Sequence, residues 1–194
     1  MEAQNWFGLK GDETLALDWP LSEDSHVIEI GGFEGRWAWQ IWEKFNCWIT
    51  IFEPQLWAVE RMEHRFRGLP KIRIHPYGLW VESGTFSLGG FGTDGTSLLS
   101  HREPIELGNF ENLETVFMEI PKADVVLMNI EGSEYILVPE MIETGIMNRF
   151  EHFWCQFHPH DSSDLRHEEI FAEMEKTHEM IWNCFPTAVA WRKR

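Results

Sequence analysis

The sequence predicts an α/β fold in which an open, mostly parallel sheet carries helices on both faces. Short apolar runs that end in Gly-Gly, Glu-Pro or Glu-Gly alternate with segments of helical periodicity, which is typical of βαβ units. The runs are apolar throughout, as expected for strands that are buried on both sides. No repeat, low-complexity run or Pro/Ser-rich linker interrupts the 194 residues, so we predict a single domain over 1–194.

The first half of the chain contains three predicted strands separated by two helices. Residues 26–30 form an apolar run that ends at Gly31-Gly32, and the apolar residues of 37–45 follow the period of a helix. Next come a strand over 47–52 that stops at Glu53-Pro54, a helix over 56–66 and a strand over 71–75. The glycine-rich stretch from 78 to 108 then predicts a loop or hairpin region rather than a helix.

The second half continues the alternation. A fourth strand over 123–130 ends in Glu131-Gly132 and is followed by a helix over 135–144. A fifth strand over 150–157 ends in His158-Pro159-His160. The last predicted elements are a helix over 164–177, capped by Ser163 or Asp161, and strands over 180–185 and 188–191.

Composition restricts the classes of partner. Against 32 Asp and Glu the chain has 16 Lys and Arg, a net charge of −16, yet 43% of its residues are hydrophobic. The apolar content argues against a disordered acidic chain. The shortage of cations argues against nucleic acid, because phosphate contacts need clustered Lys and Arg, and against anionic membranes. We therefore predict neither nucleic acid nor a membrane as partner.

The cysteines and the N-terminus indicate a reducing compartment. Cys47, Cys155 and Cys184 are widely spaced and form no CxxC pair, which predicts three buried thiols rather than a disulfide framework or a zinc site. The first ten residues have no cationic region followed by an apolar run, so a secretory signal is not expected. Together these features predict a cytoplasmic protein.

A glycine-rich turn follows the first strand. The segment Glu29-Ile30-Gly31-Gly32-Phe33-Glu34-Gly35 stands directly before a helix, where small residues let a ligand approach the backbone and its free amides. The second strand ends in Glu53, whose carboxylate is placed to accept two hydrogen bonds from a ribose diol. In parallel sheets, ligands bind beyond the carboxyl ends of the strands, which is where these residues lie.

The turn does not fit a nicotinamide enzyme. A G-x-G-x-x-G fingerprint starting at Gly31 would need glycines where the chain has Phe33 and Arg36. Glu29 and Glu34 would also repel a pyrophosphate, whereas they would favour the sulfonium and ammonium of S-adenosylmethionine. An ordinary glycine turn of an α/β protein is the alternative that this motif alone leaves open.

Three segments resemble the FkbM family of S-adenosylmethionine-dependent methyltransferases. They are VIEIGGFEG at 27–35, IFEP at 51–54 and NIEGSEY at 129–135, and their order and spacing also match. The resemblance covers roughly residues 27–160. It implies the seven-stranded class I methyltransferase sheet and O-methylation, commonly of a sugar or polyketide hydroxyl. It also divides the domain into an N-terminal extension (1–25), a cofactor-binding core (26–160) and a closing helix with strands (161–194).

The resemblance implies a role for the residues after the first three strands. Trp80 would stack near the adenine, unless it belongs to the core. The implied cofactor contacts are Glu29, Gly31, Gly32, Phe33 and Gly35 for the methionine part, Glu53 for the ribose, and Pro54, Gln55, Gly78 and Leu79 for the adenosine.

The catalytic candidates follow the fourth and fifth strands. His158 is the leading general base, because a near-neutral imidazole can take a hydroxyl proton; a capping role is the alternative. Glu131 or Glu134 could be that base or bind the acceptor. Asn129 stands where the family has Asp, and an amide is neither a base nor a good ligand for a hard cation, so a divalent metal is not favoured. Gln156 likewise replaces an acid.

We therefore predict an S-adenosylmethionine-dependent O-methyltransferase that acts on a small polar acceptor such as a sugar or glycan. A catalytically reduced methyltransferase-like protein that binds or regulates partners is the alternative, motivated by Asn129 and Gln156. The short chain leaves little room for an acceptor domain, so a homodimer that completes the acceptor site is a further alternative. The loop over 92–97 is predicted to be either a lid or a hairpin turn.

Overall fold

The computed structural model describes residues 1–90, 95–99, 103–158 and 167–194. Its main feature is a sheet of seven strands in the order β3-β2-β1-β7-β8-β10-β9. The strands of this sheet are β1 (His26–Ile30), β2 (Trp48–Phe52), β3 (Ile72–His75), β7 (Ala123–Met128), β8 (Phe150–Cys155), β9 (His178–Cys184) and β10 (Ala188–Lys193). The helices are α1 (Arg36–Phe45), α2 (Leu56–Arg65), α3 (Leu113–Glu119), α4 (Glu134–Glu143) and α5 (His167–Met174).

The sheet is parallel except at one edge. Strands β3, β2, β1, β7 and β8 pair in parallel, and β10 pairs antiparallel with both β8 and β9. The chain therefore brings the carboxyl ends of β1, β2, β7 and β8 to one edge, here called the active edge. The predicted α/β class with a mostly parallel seven-stranded sheet is confirmed.

Each face of the sheet carries its own apolar core. On one face, Val27 of β1 and Ile49 and Ile51 of β2 pack with α1, α2 and the N-terminal segment. On the other face, Ile28 and Ile30 pack with α3, α4 and α5. Alternate residues of a strand point to opposite faces, so an apolar run such as that of β1 is explained by burial on both sides.

Tryptophans join the N-terminal segment to the sheet. Trp6 lies 5.7 Å from Trp154 and 5.6 Å from Trp182, measured between ring centroids. The indole N–H groups of Trp19 and Trp37 both donate to the Ala16 carbonyl, at 2.9 and 2.8 Å. Buried indoles need such an acceptor, so these contacts satisfy the polar atoms of a largely aromatic core.

A second sheet departs from the sequence-based expectation. Residues 78–108 are predicted as a loop or hairpin, but the chain forms β4 (Gly78–Trp80), β5 (Gly84–Gly89) and β6 (Pro104–Asn112) in the order β4-β6-β5. Helix α3 follows β6 and is absent from the predicted elements. Its signal is the Asn112 cap, whose side chain accepts a hydrogen bond from the Thr115 amide.

Smaller differences concern element ends and the thiols. Helix α5 begins at His167 among the described residues, and the predicted caps Ser163 and Asp161, together with His160 and positions 92–94, lie outside them. The three cysteines are buried free thiols, as predicted. Among the helices in the described parts of the chain, none is long and apolar enough to cross a membrane.

Candidate active site

The turn between β1 and α1 depends on glycine. Gly31 has a φ of +86°, and a Cβ at this position would lie 2.0 Å from the Asn129 carbonyl oxygen. The amides of Gly31 and Gly32 donate to the Phe52 carbonyl at 2.9 and 3.2 Å, which fixes the turn against the end of β2. Gly35, at a φ of +69°, ends the turn and begins α1.

Glu53 follows β2 and is almost completely buried. Its carboxylate accepts hydrogen bonds from the Phe33 amide at 2.7 Å and from the Gln55 amide at 2.8 Å. Burial raises the pKa of Glu53 to about 7, against the opposing effect of these two amides. A ligand that forms hydrogen bonds with Glu53 would therefore meet a carboxyl group that is partly protonated at neutral pH.

Glu29 is buried beside Glu53 without a cation. Burial, followed by the charge of Glu53, raises the pKa of Glu29 well above its ordinary value, although the Ala38 amide donates to it. Its Oε2 has no hydrogen-bond partner among the described residues, and neither has the buried Oδ1 of Asn129. Unsatisfied buried acceptors are costly, so this end of the sheet is suited to a ligand that donates hydrogen bonds or carries positive charge.

The turn between β7 and α4 is held by a fully buried carboxylate. Glu134 accepts from the Ile130 amide at 2.8 Å and from the Gly132 amide at 2.7 Å. Both Glu131, at a φ of +55°, and Gly132, at +104°, have left-handed backbone conformations. A non-glycine residue in this region is strained and persists only where its surroundings enforce it, as Glu134 does here.

His158 lies between the two carboxylates of this turn. Its Nδ1 is 3.0 Å from Glu134 Oε1, and its Nε2 is 3.0 Å from Glu131 Oε1. Burial opposes a charge on the ring, but the hydrogen bonds to Glu131 and Glu134 outweigh it and raise the pKa of His158 to about 10. The side-chain amide of Gln156 also lies 3.0 Å from Nε2. Because both nitrogens of a protonated ring donate, the amide oxygen rather than its nitrogen would face the ring.

These contacts favour a positioning role for His158 over the predicted role of general base, which stays a prediction. A ring with a pKa of about 10 is protonated at neutral pH and has no lone pair for an acceptor proton. The prediction assumed an ordinary, near-neutral imidazole. The ring instead holds the Glu131 carboxylate in place. The other partner of the ring, Glu134, is 24 residues from His158 in the sequence.

A small enclosed cavity of about 70 Å³ lies at the active edge. The residues of its lining that the sequence predicts as site residues are Gly31, Phe33, Glu53, Pro54, Gln55, Gly78, Leu79, Asn129 and Glu131. The remaining predicted residues support the lining from behind or beside it: Glu29, Gly32, Gly35, Glu134 and His158.

The second sheet supplies the part of the lining that sequence analysis missed. Leu88 and Phe110 of this sheet and Thr96 and Leu98 of the segment 95–99 close the cavity from above. The Ser97 hydroxyl donates to the Glu131 carbonyl at 2.6 Å and so joins this segment to the β7–α4 turn. Trp80, predicted either to stack on an adenine or to lie in the core, is buried in the core and does not line the cavity.

The cavity is too small for a cofactor as it stands. Ligand pockets in proteins usually measure roughly 300–1,000 Å³, and each water in a liquid occupies about 30 Å³. A nucleoside-sized ligand would need more space than the residues around this cavity leave. Among the described residues no group of three or more His, Cys, Asp and Glu could hold a metal ion, and metal independence stays a prediction.

No protein-family model matches the chain, and none of the curated proteins matches it significantly. Its structure is similar to that of the methyltransferase FkbM from Methylobacillus flagellatus KT, with a TM-score of 0.59 and 12% identity. The match covers 90% of this chain and 44% of that one, so this chain spans less than half of that protein. The fold is that of the class I methyltransferases. The resemblance to FkbM is therefore confirmed in the fold.

Other structures with this methyltransferase fold correct one prediction. An rRNA methylase from Streptococcus thermophilus matches with a TM-score of 0.55 and 12% identity, over 100% of this chain and 99% of that one. A fibrillarin pre-rRNA processing protein from Methanococcus jannaschii matches with 0.54 and 9% identity, over 91% and 69%. The prediction that excludes nucleic acid as a partner is wrong, because proteins named for rRNA share this fold. The total charge of a chain does not decide the charge of one local surface.

Proposed function

We propose that the protein is an S-adenosylmethionine-dependent O-methyltransferase that acts on a hydroxyl of a sugar or glycan. The observation that carries the proposal is the cavity at the glycine turn, with buried Glu53 in its lining and Glu29 behind it. The fold of this chain and the sequence motifs that resemble the FkbM family support the same activity.

The residues present fit this cofactor. The unpaired Oε2 of Glu29 and Oδ1 of Asn129 are acceptors for an ammonium group, and Glu53 is an acceptor for ribose hydroxyls. Gly31, which has no side chain, lets the turn after β1 lie close against the Asn129 carbonyl, where a Cβ would collide. The remaining contacts that we assign to the cofactor are Gly32, Phe33, Gly35, Pro54, Gln55, Gly78 and Leu79. The bound cofactor would supply a methyl group on an electrophilic sulfonium centre.

We assign the acceptor side of the reaction to Glu131. Its carboxylate lines the cavity and is held by His158, so one oxygen is fixed and the group can accept a hydrogen bond from an acceptor hydroxyl. As the new O–C bond forms, the electron pair of the broken C–S bond would stay on sulfur, and Glu131 would accept the proton that the acceptor hydroxyl must lose. His158 and Glu134 act as positioning residues, because the first holds Glu131 and the second holds the turn.

Isothermal titration calorimetry with S-adenosylhomocysteine tests the cofactor. We expect binding by the intact chain and about 10- to 100-fold weaker binding by Glu53→Ala, which loses charge-assisted hydrogen bonds to the ribose. Glu60→Ala, an exposed carboxylate on α2, is the matched control and should bind as the unmodified chain does. Absence of binding at millimolar ligand would overturn the proposal.

A transfer assay with labelled S-adenosylmethionine tests the acceptor. We expect methylation within a panel of monosaccharides and oligosaccharides, and loss of at least 100-fold in kcat for Glu131→Gln with little change in cofactor affinity. Transfer to an RNA oligonucleotide in the same panel would replace the sugar as acceptor. Cofactor binding without transfer to any acceptor would favour the catalytically reduced binding protein, for which Asn129 and Gln156 are the motivation.

A further inference from the structure

A second, larger depression of about 710 Å³ lies on the sheet away from the active edge. Its floor consists of side chains from β1, β2 and β3 that point to the face carrying α3, and one wall is α3 itself. Helix α3 has only seven residues and leaves this corner of the sheet uncovered. The residues around this groove are distinct from those around the cavity at the active edge.

The floor of the groove is polar where the rest of the face is apolar. His26 and Thr50 share a hydrogen bond of 2.9 Å, and Arg73 stands beside Thr50 in the register of β2 with β3. On the same face farther along, β1 places Ile28 and Ile30 in the core. A parallel strand with a polar face is unusual, because such sheets are normally covered on both sides.

Aromatic rings stand at both ends of the floor. Trp48 is 49% exposed, and the Nζ of Lys71 lies 5.9 Å from its ring centroid. That ammonium is itself held by the carbonyls of Glu23 and Asn46, so the indole has a fixed neighbour. At the other end His75 stacks on Phe52 at 4.9 Å, about four residues or 13 Å along the strands from Trp48.

The charges around the groove cancel. Lys71 and Arg73 are matched by Glu111 and Glu119. Burial lowers the pKa of His26 and of His75, so both rings are neutral at pH 7. The lining therefore offers no excess charge to a phosphate or an amine, although the whole chain carries −16.

We infer that this groove binds a neutral oligosaccharide. The apolar faces of pyranose rings pack on exposed indole, and hydroxyl groups exchange hydrogen bonds with Arg, Glu, Thr and His side chains, which supply both donors and acceptors. A neutral, hydroxyl-rich ligand is the class that matches an aromatic and charge-balanced surface. The inference stands whether or not the protein transfers methyl groups.

The test uses the full chain labelled with ¹⁵N-tryptophan. Maltohexaose, xylohexaose, cellopentaose and chitohexaose are each titrated to about 5 mM, a range that detects dissociation constants near 1 mM. At least one should shift the Trp48 indole resonance, assigned with Trp48→Phe, and leave that of Trp57 in place. Trp48→Ala should weaken the binding at least tenfold, whereas Leu107→Ala, an exposed apolar residue on β6, should not.

Each alternative outcome is decisive. If no oligosaccharide shifts the Trp48 resonance, or if decathymidylate or inorganic phosphate shifts it instead, the proposed ligand class is wrong. Should Trp48→Ala unfold, Arg73→Gln at an exposed position takes its place, with the same expected loss. Unchanged affinity in both variants would overturn the assignment to this groove. Cofactor binding, measured separately with S-adenosylhomocysteine, distinguishes this failure from failure of the proposed activity.

Discussion

The active edge contains two pairs of carboxyl groups that differ in one respect. Glu29, near the end of β1, and Glu53, directly after β2, are buried together with no cation beside them. Glu131 and Glu134, after β7, share the imidazole of His158 at 3.0 Å each. The first pair is electrostatically incomplete, and the second pair is complete within the protein.

The difference assigns the two pairs to different tasks. An incomplete buried pair costs stability and favours any ligand that brings positive charge and donors, as S-adenosylmethionine would. A complete pair gains little from another cation and is suited to holding a turn and one carboxylate in place. We therefore propose that the Glu29–Glu53 pair serves cofactor binding, whereas in the second pair Glu134 and His158 hold Glu131 toward the acceptor.

The largest effect is expected from Glu134→Gln. The amide cannot accept from the Ile130 and Gly132 amides at the same time as it faces His158, so a buried donor loses its partner. We expect a loss of about 2–4 kcal/mol in the free energy of unfolding. Urea unfolding measures it, with exposed Glu143→Gln on the same helix as control. A loss below about 0.5 kcal/mol would mean that Glu134 does not hold the turn between β7 and α4.

Glu53→Gln tests the incomplete pair. The folded pKa of Glu53, about 7, is above its ordinary value of 4.5, so the folded state binds more protons than the unfolded state between these values. The unmodified protein therefore loses stability as the pH rises through this window. The variant has no such proton and should gain on the order of 2 kcal/mol relative to the unmodified protein between pH 4.5 and 8.

Unfolding free energies of both proteins at several pH values provide the measurement for Glu53. The difference between the two curves isolates this residue from other titrating groups. A difference that stays constant from pH 4.5 to 8 would show that Glu53 has an ordinary pKa. The Glu60→Gln variant, at an exposed position of α2, is the control.

The two pairs also differ in how much of them the sequence could predict. The residues after β1 and β2 follow apolar runs that stop at Gly or Glu-Pro, so strand ends and the residues beyond them are visible locally. The hydrogen bond between His158 and Glu134 joins residues that are 24 positions apart, and such a contact leaves no local pattern in the sequence. The charged state of His158 depends on that contact, so the sequence alone could not indicate it.

The part of the cavity lining that comes from the second sheet likewise could not be predicted from local sequence patterns. Leu88 and Phe110 reach it through the pairing of β5 with β6, and glycine content indicates turns but not which strands pair. Helix α3 is short enough that its apolar residues, Leu113 and Phe117, do not complete a recognisable period. The wall of the groove was missed for the same reason.

His158→Gln tests the complete pair through its own pH window. The folded pKa of about 10 is above the ordinary value of 6.5, so the stabilisation is fully present below pH 6.5 and is lost as the pH rises through 10. Because the ring is partly exposed, we expect about 1–2 kcal/mol at pH 6 relative to pH 10.5. An NMR titration of the imidazole checks the pKa directly, and His64→Gln, at an exposed position of α2, is the control variant.

The smallest effect is expected from Ser97→Ala, in the segment that joins the cavity lining to the turn after β7. The Ser97 hydroxyl donates to the Glu131 carbonyl at 2.6 Å and accepts from the Leu99 amide at 3.1 Å, so it fixes the segment 95–99 over the cavity. Ser97→Ala should cost about 1 kcal/mol or less, because the backbone pair with Gly89 remains. It should also speed association of S-adenosylhomocysteine about 3- to 10-fold in stopped-flow fluorescence, since opening loses one hydrogen bond. Ser87→Ala on the exposed side of β5 is the control. An association rate equal to that of the control would show that the hydrogen bond between Ser97 and the Glu131 carbonyl does not limit entry of S-adenosylhomocysteine.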